Sequence, residues 1–148
     1  MTTVKQILYA TDYSEPSQYA LHFAVSLARD CRASLLIIHV SDLECYPAGE
    51  LVDRKPGPSA EELKRLEAVV PDDASVPFEH RVICPPSSSG NMHPADAIVR
   101  LAKQENVHAI VIGTHGRSGL LHLLAGSVAE SVMRQAPCPV ITVRQPNP

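Results

Sequence analysis

The apolar and polar positions along the chain fall into two kinds of run. Gln6-Ile7-Leu8-Tyr9-Ala10 is short and apolar and stops at Thr11-Asp12, which predicts a buried strand. Ser14 then offers a hydroxyl cap, and Pro16 is tolerated in a first helical turn. Ala20, Phe23, Ala24, Leu27, Ala28 and Cys31 recur at spacings of three and four, so they predict one apolar helical face. Ser34-Leu35-Leu36-Ile37-Ile38-His39-Val40 is almost continuously apolar, as a parallel strand covered on both faces requires.

The second half repeats the alternation. Residues 41–58, with Pro47, Gly49, Pro56, Gly57 and Pro58, predict a mobile loop. A short helix over about 59–69 follows, with Glu61 and Glu62 in its first turn. Val76 to Ile83 predicts a third strand, and Cys84 to Asn91 a loop. A helix from about Pro94 to Gln104 turns Ile98, Leu101 and Ala102 inward, with Asn106 as a left-handed cap. His108 to Ile112 is the fourth strand, ending at Gly113. A last helix over about Ser127–Gln135 turns Val128, Val132 and Met133 inward, and Pro139 to Val143 is the fifth strand. Strands alternating with helices imply one α/β domain over residues 1–148, an open parallel sheet with helices on both faces. In such sheets ligands sit outside the carboxyl ends of the strands, where the strand order reverses. That rule singles out Ala10-Thr11-Asp12, His39-Val40-Ser41 and everything from Gly113 onward.

Composition narrows the picture. The 148 residues suit a single domain, and 45% hydrophobic with 20% charged residues is ordinary for a globular protein. A net charge of −3 without a basic stripe argues against nucleic acid as a partner. No apolar run approaches the roughly 20 residues of a membrane span. The chain opens straight into a strand, so a cytoplasmic protein is expected. Cys31, Cys45, Cys84 and Cys138 form no C-x-x-C pair and read as reduced, partly buried thiols.

The candidate chemistry lies between Gly113 and Ser127. Gly113, Gly116 and Gly119 let a ligand approach the main chain closely. Gly126-Ser127 stands at a helix N-terminus, where free N–H groups and the helix dipole favour an anion. Ser127 adds a hydroxyl and Arg117 a guanidinium fork for phosphate oxygens. The segment is not a Walker A loop, because it has no lysine, and it does not follow the first strand as a Rossmann fingerprint does. On these residues alone, an anion-binding loop and a glycine-shaped turn both stand. Asp12 has two readings as well: a ligand contact, or a cap on the first helix together with Ser14. His39, inside an apolar strand, reads as a satisfied core histidine.

Gly113-x2-Gly116-x9-Gly126-Ser127 resembles the G-2x-G-9x-G-[ST] motif of the universal stress proteins. The opening Ile7 to Ser14 and the segment Ala136-Pro137-Cys138-Pro139-Val140 look like that family too. The resemblance implies a five-stranded Rossmann-like sheet, a homodimer built on Pro139 to Val143, and ATP as ligand, with Mg2+ held mainly by the phosphates. By the matching positions, Ala10, Thr11 and Asp12 would face the adenosine, and Val40 would hold the adenine edge through its backbone. Gly113, Gly116, Arg117, Gly126, Ser127 and Val128 would surround the ribose and phosphates. It implies a nucleotide-dependent stress-response module and not an enzyme. A slow ATPase and a nucleotide-independent dimerisation module are the alternatives. The stretch from Cys84 to Pro94 is longer than the family's usual turn.

Overall fold

A computed structural model describes residues 3–41, 58–84, 93–114 and 128–146. Five strands and four helices alternate: β1 (Gln6–Ala10), α1 (Glu15–Cys31), β2 (Ser34–Val40), α2 (Ala60–Glu67), β3 (Phe78–Ile83), α3 (Pro94–Glu105), β4 (Ala109–Thr114), α4 (Val128–Gln135) and β5 (Val140–Arg144). All neighbouring strands are parallel, in the order β3-β2-β1-β4-β5. The chain winds outward from β1 to β3, then crosses to β4 on the other side. The strand order therefore reverses between β1 and β4.

The sheet is buried on both faces because the central strands are unbroken apolar runs over Ile7–Ala10, Leu35–Ile38 and Ala109–Ile112. Side-chain alternation sends Ile7, Tyr9, Leu35, Ile37 and Val111 toward α1 and α2. It sends Leu8, Leu36, Ile38, Ile110 and Ile112 toward α3 and α4. The helices begin and end where local chemistry dictates. Ser14 caps α1 by accepting from the Ser17 N–H at 3.3 Å. Ser59 and Glu62 form a reciprocal capping box on α2. Arg32 and Asn106 close α1 and α3 in the left-handed conformation, with φ 54° and 51°.

The sequence reading needs correction in places. Phe23 lies on the flank of the α1 stripe and is 43% exposed, and Met133 of α4 is 52% exposed, because neither helix is covered on its outer side. The third strand begins at Phe78; Val76 is buried, but in the turn that leads into it. Cys31 and Cys138 are free thiols, whereas Cys84 is disulfide-bonded. The loop expected over 41–58 lies outside the described residues except at its ends, as does most of the loop over 84–91.

Candidate functional site

The carboxyl ends of β1, β2 and β4 lie side by side around the reversal of strand order, and the sequence-predicted residues that are described, Ala10, Thr11, Asp12, Val40, Gly113 and Val128, lie at that end of the sheet. Ala10, Val40 and Val128 share one apolar cluster on the α3/α4 face; Ala10 is buried, and the two valines are partly buried. Val128 is there because it opens α4. Asp12 is exposed one step beyond β1. Its Oδ1 accepts from the Ser14 N–H at 2.9 Å and from the Ser14 hydroxyl at 2.5 Å. Asp12 thus braces the cap of α1 while standing exposed just beyond the carboxyl end of β1.

Gly113 occupies the end of β4, and its smallness is required by α1. A Cβ built there would lie 2.6 Å from the Pro16 carbonyl oxygen and 2.9 Å from the Ser17 nitrogen, both main-chain atoms. The first turn of α1 packs directly on the β4 backbone, and no other residue fits between them. Gly116, Arg117, Gly126 and Ser127 lie outside the described residues.

Thr11 is turned inward and is 5% exposed. Its hydroxyl oxygen accepts from the Tyr13 N–H at 3.0 Å and is 3.1 Å from the Ser17 hydroxyl, which in turn donates to the Ser14 carbonyl at 2.8 Å. Because Ser17 spends its proton on Ser14, the Thr11 hydroxyl is the donor to Ser17. Tyr9 completes this buried chain by donating its phenol to the Ser17 carbonyl. Burial pushes the Tyr9 phenol above its ordinary value, while the hydroxyls of Thr11 and Ser17 pull it partly back.

Five further residues at this end, His39, Tyr13, Arg65, Ser41 and Glu62, carry contacts that the sequence did not announce. His39 Nδ1 donates to the Thr11 carbonyl at 2.7 Å; a carbonyl only accepts, so Nδ1 carries the proton. Tyr13, at φ 66°, lays its ring on His39 with centroids 4.5 Å apart. The Arg65 guanidinium of α2 lies over the Tyr13 ring, 4.0 Å from its centroid. Burial raises the Tyr13 phenol, and Arg65 draws it part of the way down. Ser41 donates to Glu62 at 2.5 Å, tying α2 to the end of β2. The polar His39 within an apolar run was the one sequence clue to this group. Among the described residues, no cluster of three or more His, Cys, Asp or Glu side chains is arranged to hold a metal, and no helix is long and apolar enough to cross a membrane.

An open parallel sheet whose strand order reverses between β1 and β4, with an exposed carboxylate just past β1 and a glycine one residue before the end of β4, defines the doubly wound class of α/β proteins. Within that class, this chain belongs to the universal stress protein family, whose sequence profile matches residues 3–144. A universal stress protein of Methanocaldococcus jannaschii is 30% identical to it over 149 residues, covering 97% of this chain and 84% of that protein. Two solved structures share the fold at lower identity. A universal stress protein in complex with cAMP is 23% identical, with a TM-score of 0.66 over 98% of this chain and 100% of that one. A universal stress protein from Archaeoglobus fulgidus in complex with dAMP is 22% identical, with a TM-score of 0.60 over 96% of this chain and 99% of that one.

Proposed function

We propose that this protein binds ATP at the switch point and acts as a dimeric, nucleotide-dependent regulatory module of the cytoplasmic stress response. The observation that carries the reading is the Gly113-x2-Gly116-x9-Gly126-Ser127 spacing, which starts at the end of β4 and finishes where α4 begins. A nucleotide on that loop has its phosphates beside the α4 N-terminus, with Arg117 and Ser127 as further donors. Its ribose lies toward Asp12, and its base lies on Val40 and Val128. The cAMP and dAMP complexes of the two structural neighbours support an adenine nucleotide. Any Mg2+ is carried in on the phosphates, and turnover is slow or absent.

The dimer forms on β5. Among the described residues no strand pairs with either edge of the sheet, and the two edges differ in kind. At the β3 edge Glu79 and Arg81 are ion-paired, and Arg81 also pairs with Glu105. Charges of this sort discourage strand addition. The β5 edge presents the partly buried Val140, Ile141 and Val143. The Pro139 carbonyl accepts from the Ile110 N–H, so the odd-numbered residues of β5 bond β4 and the N–H of Thr142 faces outward.

Calorimetric titration with ATP and magnesium tests the ligand, with Gly116→Val as the control that should block approach to the loop. Saturable binding by the parent alone supports the site; binding by neither, from folded and nucleotide-free protein, overturns it. Light scattering on Thr142→Pro tests the dimer. That change removes an outward donor and leaves the β4 ladder intact, so a monomer is expected.

A further inference from the structure

We infer that His39 is a positioning residue for base recognition: it ends the β1–β2 ladder one rung early and so leaves the main chain of Val40 open to an adenine edge. The inference rests on the nucleotide reading above, and part of its test does not. The ladder itself supplies the argument. Ser34 donates to the Lys5 carbonyl, and the Ile38 carbonyl accepts from Thr11. Even-numbered residues of β2 therefore point their N–H and C=O groups at β1. Leu35 and Ser41 donate to the Pro77 and Ile83 carbonyls, so odd-numbered residues point at β3. Val40 is even-numbered and faces β1, one step past the last rung.

The next rung would join the Val40 N–H to the Thr11 carbonyl and the Tyr13 N–H to the Val40 carbonyl. Both partners are diverted. The Thr11 carbonyl takes Nδ1–H of His39 at 2.7 Å, and the Tyr13 N–H goes to the Thr11 hydroxyl at 3.0 Å. His39 shares the α1/α2 face with Leu35 and Ile37, so its proton reaches the carbonyl from outside the plane of the sheet. The ring is held for this by Tyr13, whose backbone adopts φ 66° in the turn that also carries Asp12, and Arg65 covers the Tyr13 ring. Among the described residues, neither main-chain group of Val40 has a hydrogen-bond partner.

One strand residue then offers a donor and an acceptor side by side on the cleft side of β2. Adenine presents the complementary pair, the acceptor N1 next to the donor N6 amino group. In the same pose guanine presents the reverse order, a donor at N1 and an acceptor at O6. An open Val40 therefore selects adenine, and a Val40 zipped onto β1 selects nothing.

The test uses the full chain with His39→Leu, His39→Asn and Thr11→Val. Asparagine keeps a donor near the Nδ1 position, leucine keeps bulk without a donor, and valine removes the acceptor that diverts the Tyr13 N–H. Amide exchange at Val40 is read by NMR without and with ATP, and calorimetry gives the affinities for ATP and GTP. The parent should exchange fast at Val40 when free and at least tenfold more slowly with ATP. His39→Leu should protect Val40 without nucleotide, weaken ATP at least tenfold and shrink the preference over GTP. His39→Asn should restore all three; Thr11→Val frees the Tyr13 N–H to close the Val40 carbonyl while His39 still holds the Thr11 carbonyl, so it should weaken ATP and shrink the preference over GTP with Val40 exchange as in the parent, which decides the matter if the leucine variant does not fold. A folded His39→Leu with parental exchange and parental ATP-to-GTP ratio overturns the proposal. A parent that binds no nucleotide overturns the functional reading instead, and slow Val40 exchange in that free parent overturns the open rung on its own.

Discussion

The two ends of the candidate site, β4 and the β1–β2 pair, are constrained by different physics. At β4 the constraint is steric. A single hydrogen in place of a side chain at Gly113 lets the Pro16–Ser17 backbone of α1 sit on the strand. At β1 and β2 the constraint is an allocation of hydrogen bonds. Thr11, Tyr13, Ser17 and His39 are all residues that fit many surroundings, and what matters is which carbonyl each donor reaches. A steric demand leaves a mark in the sequence, because only one residue type meets it. An allocation leaves almost none, because the same four residues can pair in other ways.

The steric end should give the largest effect. Gly113→Val forces α1 off β4 against main-chain atoms that cannot rotate away, and we expect a loss of roughly 3 kcal/mol or more in denaturant unfolding. Gly113→Ala should lose less but still upward of about 1 kcal/mol. A neutral alanine variant would mean that α1 can back off, and the steric half of the comparison would fall.

Thr11→Val comes next and probes the other end. Valine matches threonine in shape, so no cavity opens. The Tyr13 N–H loses its acceptor and the Ser17 hydroxyl a partner, which should cost about 1–3 kcal/mol by the same unfolding measurement. An unchanged midpoint would show that the turn does not depend on the buried hydroxyl.

This contrast also explains how much of the molecule could be read in advance. Element order, sheet direction and the residues at the switch point followed from Ile7–Ala10, Leu35–Ile38 and Ile110–Ile112, whose unbroken apolarity admits only a strand covered on both faces. Asn106 announced its left-handed cap because few residues tolerate that backbone. Arg32 did not, since arginine at φ 54° is held there by its surroundings and not by preference. Phe23 misled because helical spacing gives the angle of a stripe but not the width of what covers it. Glu62, which both caps α2 and takes the Ser41 hydroxyl, gave only its first-turn charge. His39 was visible as a polar residue among aliphatic ones, but its partner, a main-chain oxygen on another strand, was not.

A third prediction concerns pH. The folded Tyr9 phenol titrates above its ordinary value because it is buried, so the unfolded chain loses this proton first as the solution becomes alkaline. The stability Tyr9 contributes is complete below about pH 10, the ordinary tyrosine value, and falls as pH rises toward the folded value. Tyr9→Phe should flatten that alkaline decline. At neutral pH it should cost about 1 kcal/mol for the lost bond to the Ser17 carbonyl. An alkaline arm unchanged by Tyr9→Phe would place the decline elsewhere in the fold.

The smallest effect separates the ring of Tyr13 from its hydroxyl. The ring meets His39 and Arg65, whereas the buried hydroxyl has no hydrogen-bond partner among the described residues. An unpaired buried hydroxyl opposes folding, so Tyr13→Phe should be neutral or stabilising by up to about 1 kcal/mol in denaturant unfolding. The stack on His39 should persist, and with it the open Val40. Tyr13→Ala should instead release His39, and ATP affinity should drop with little further change in stability. If phenylalanine weakens ATP binding as much as alanine does, the hydroxyl has a partner in the liganded protein. Allocation of bonds, not ring packing, would then set the β1–β2 end throughout.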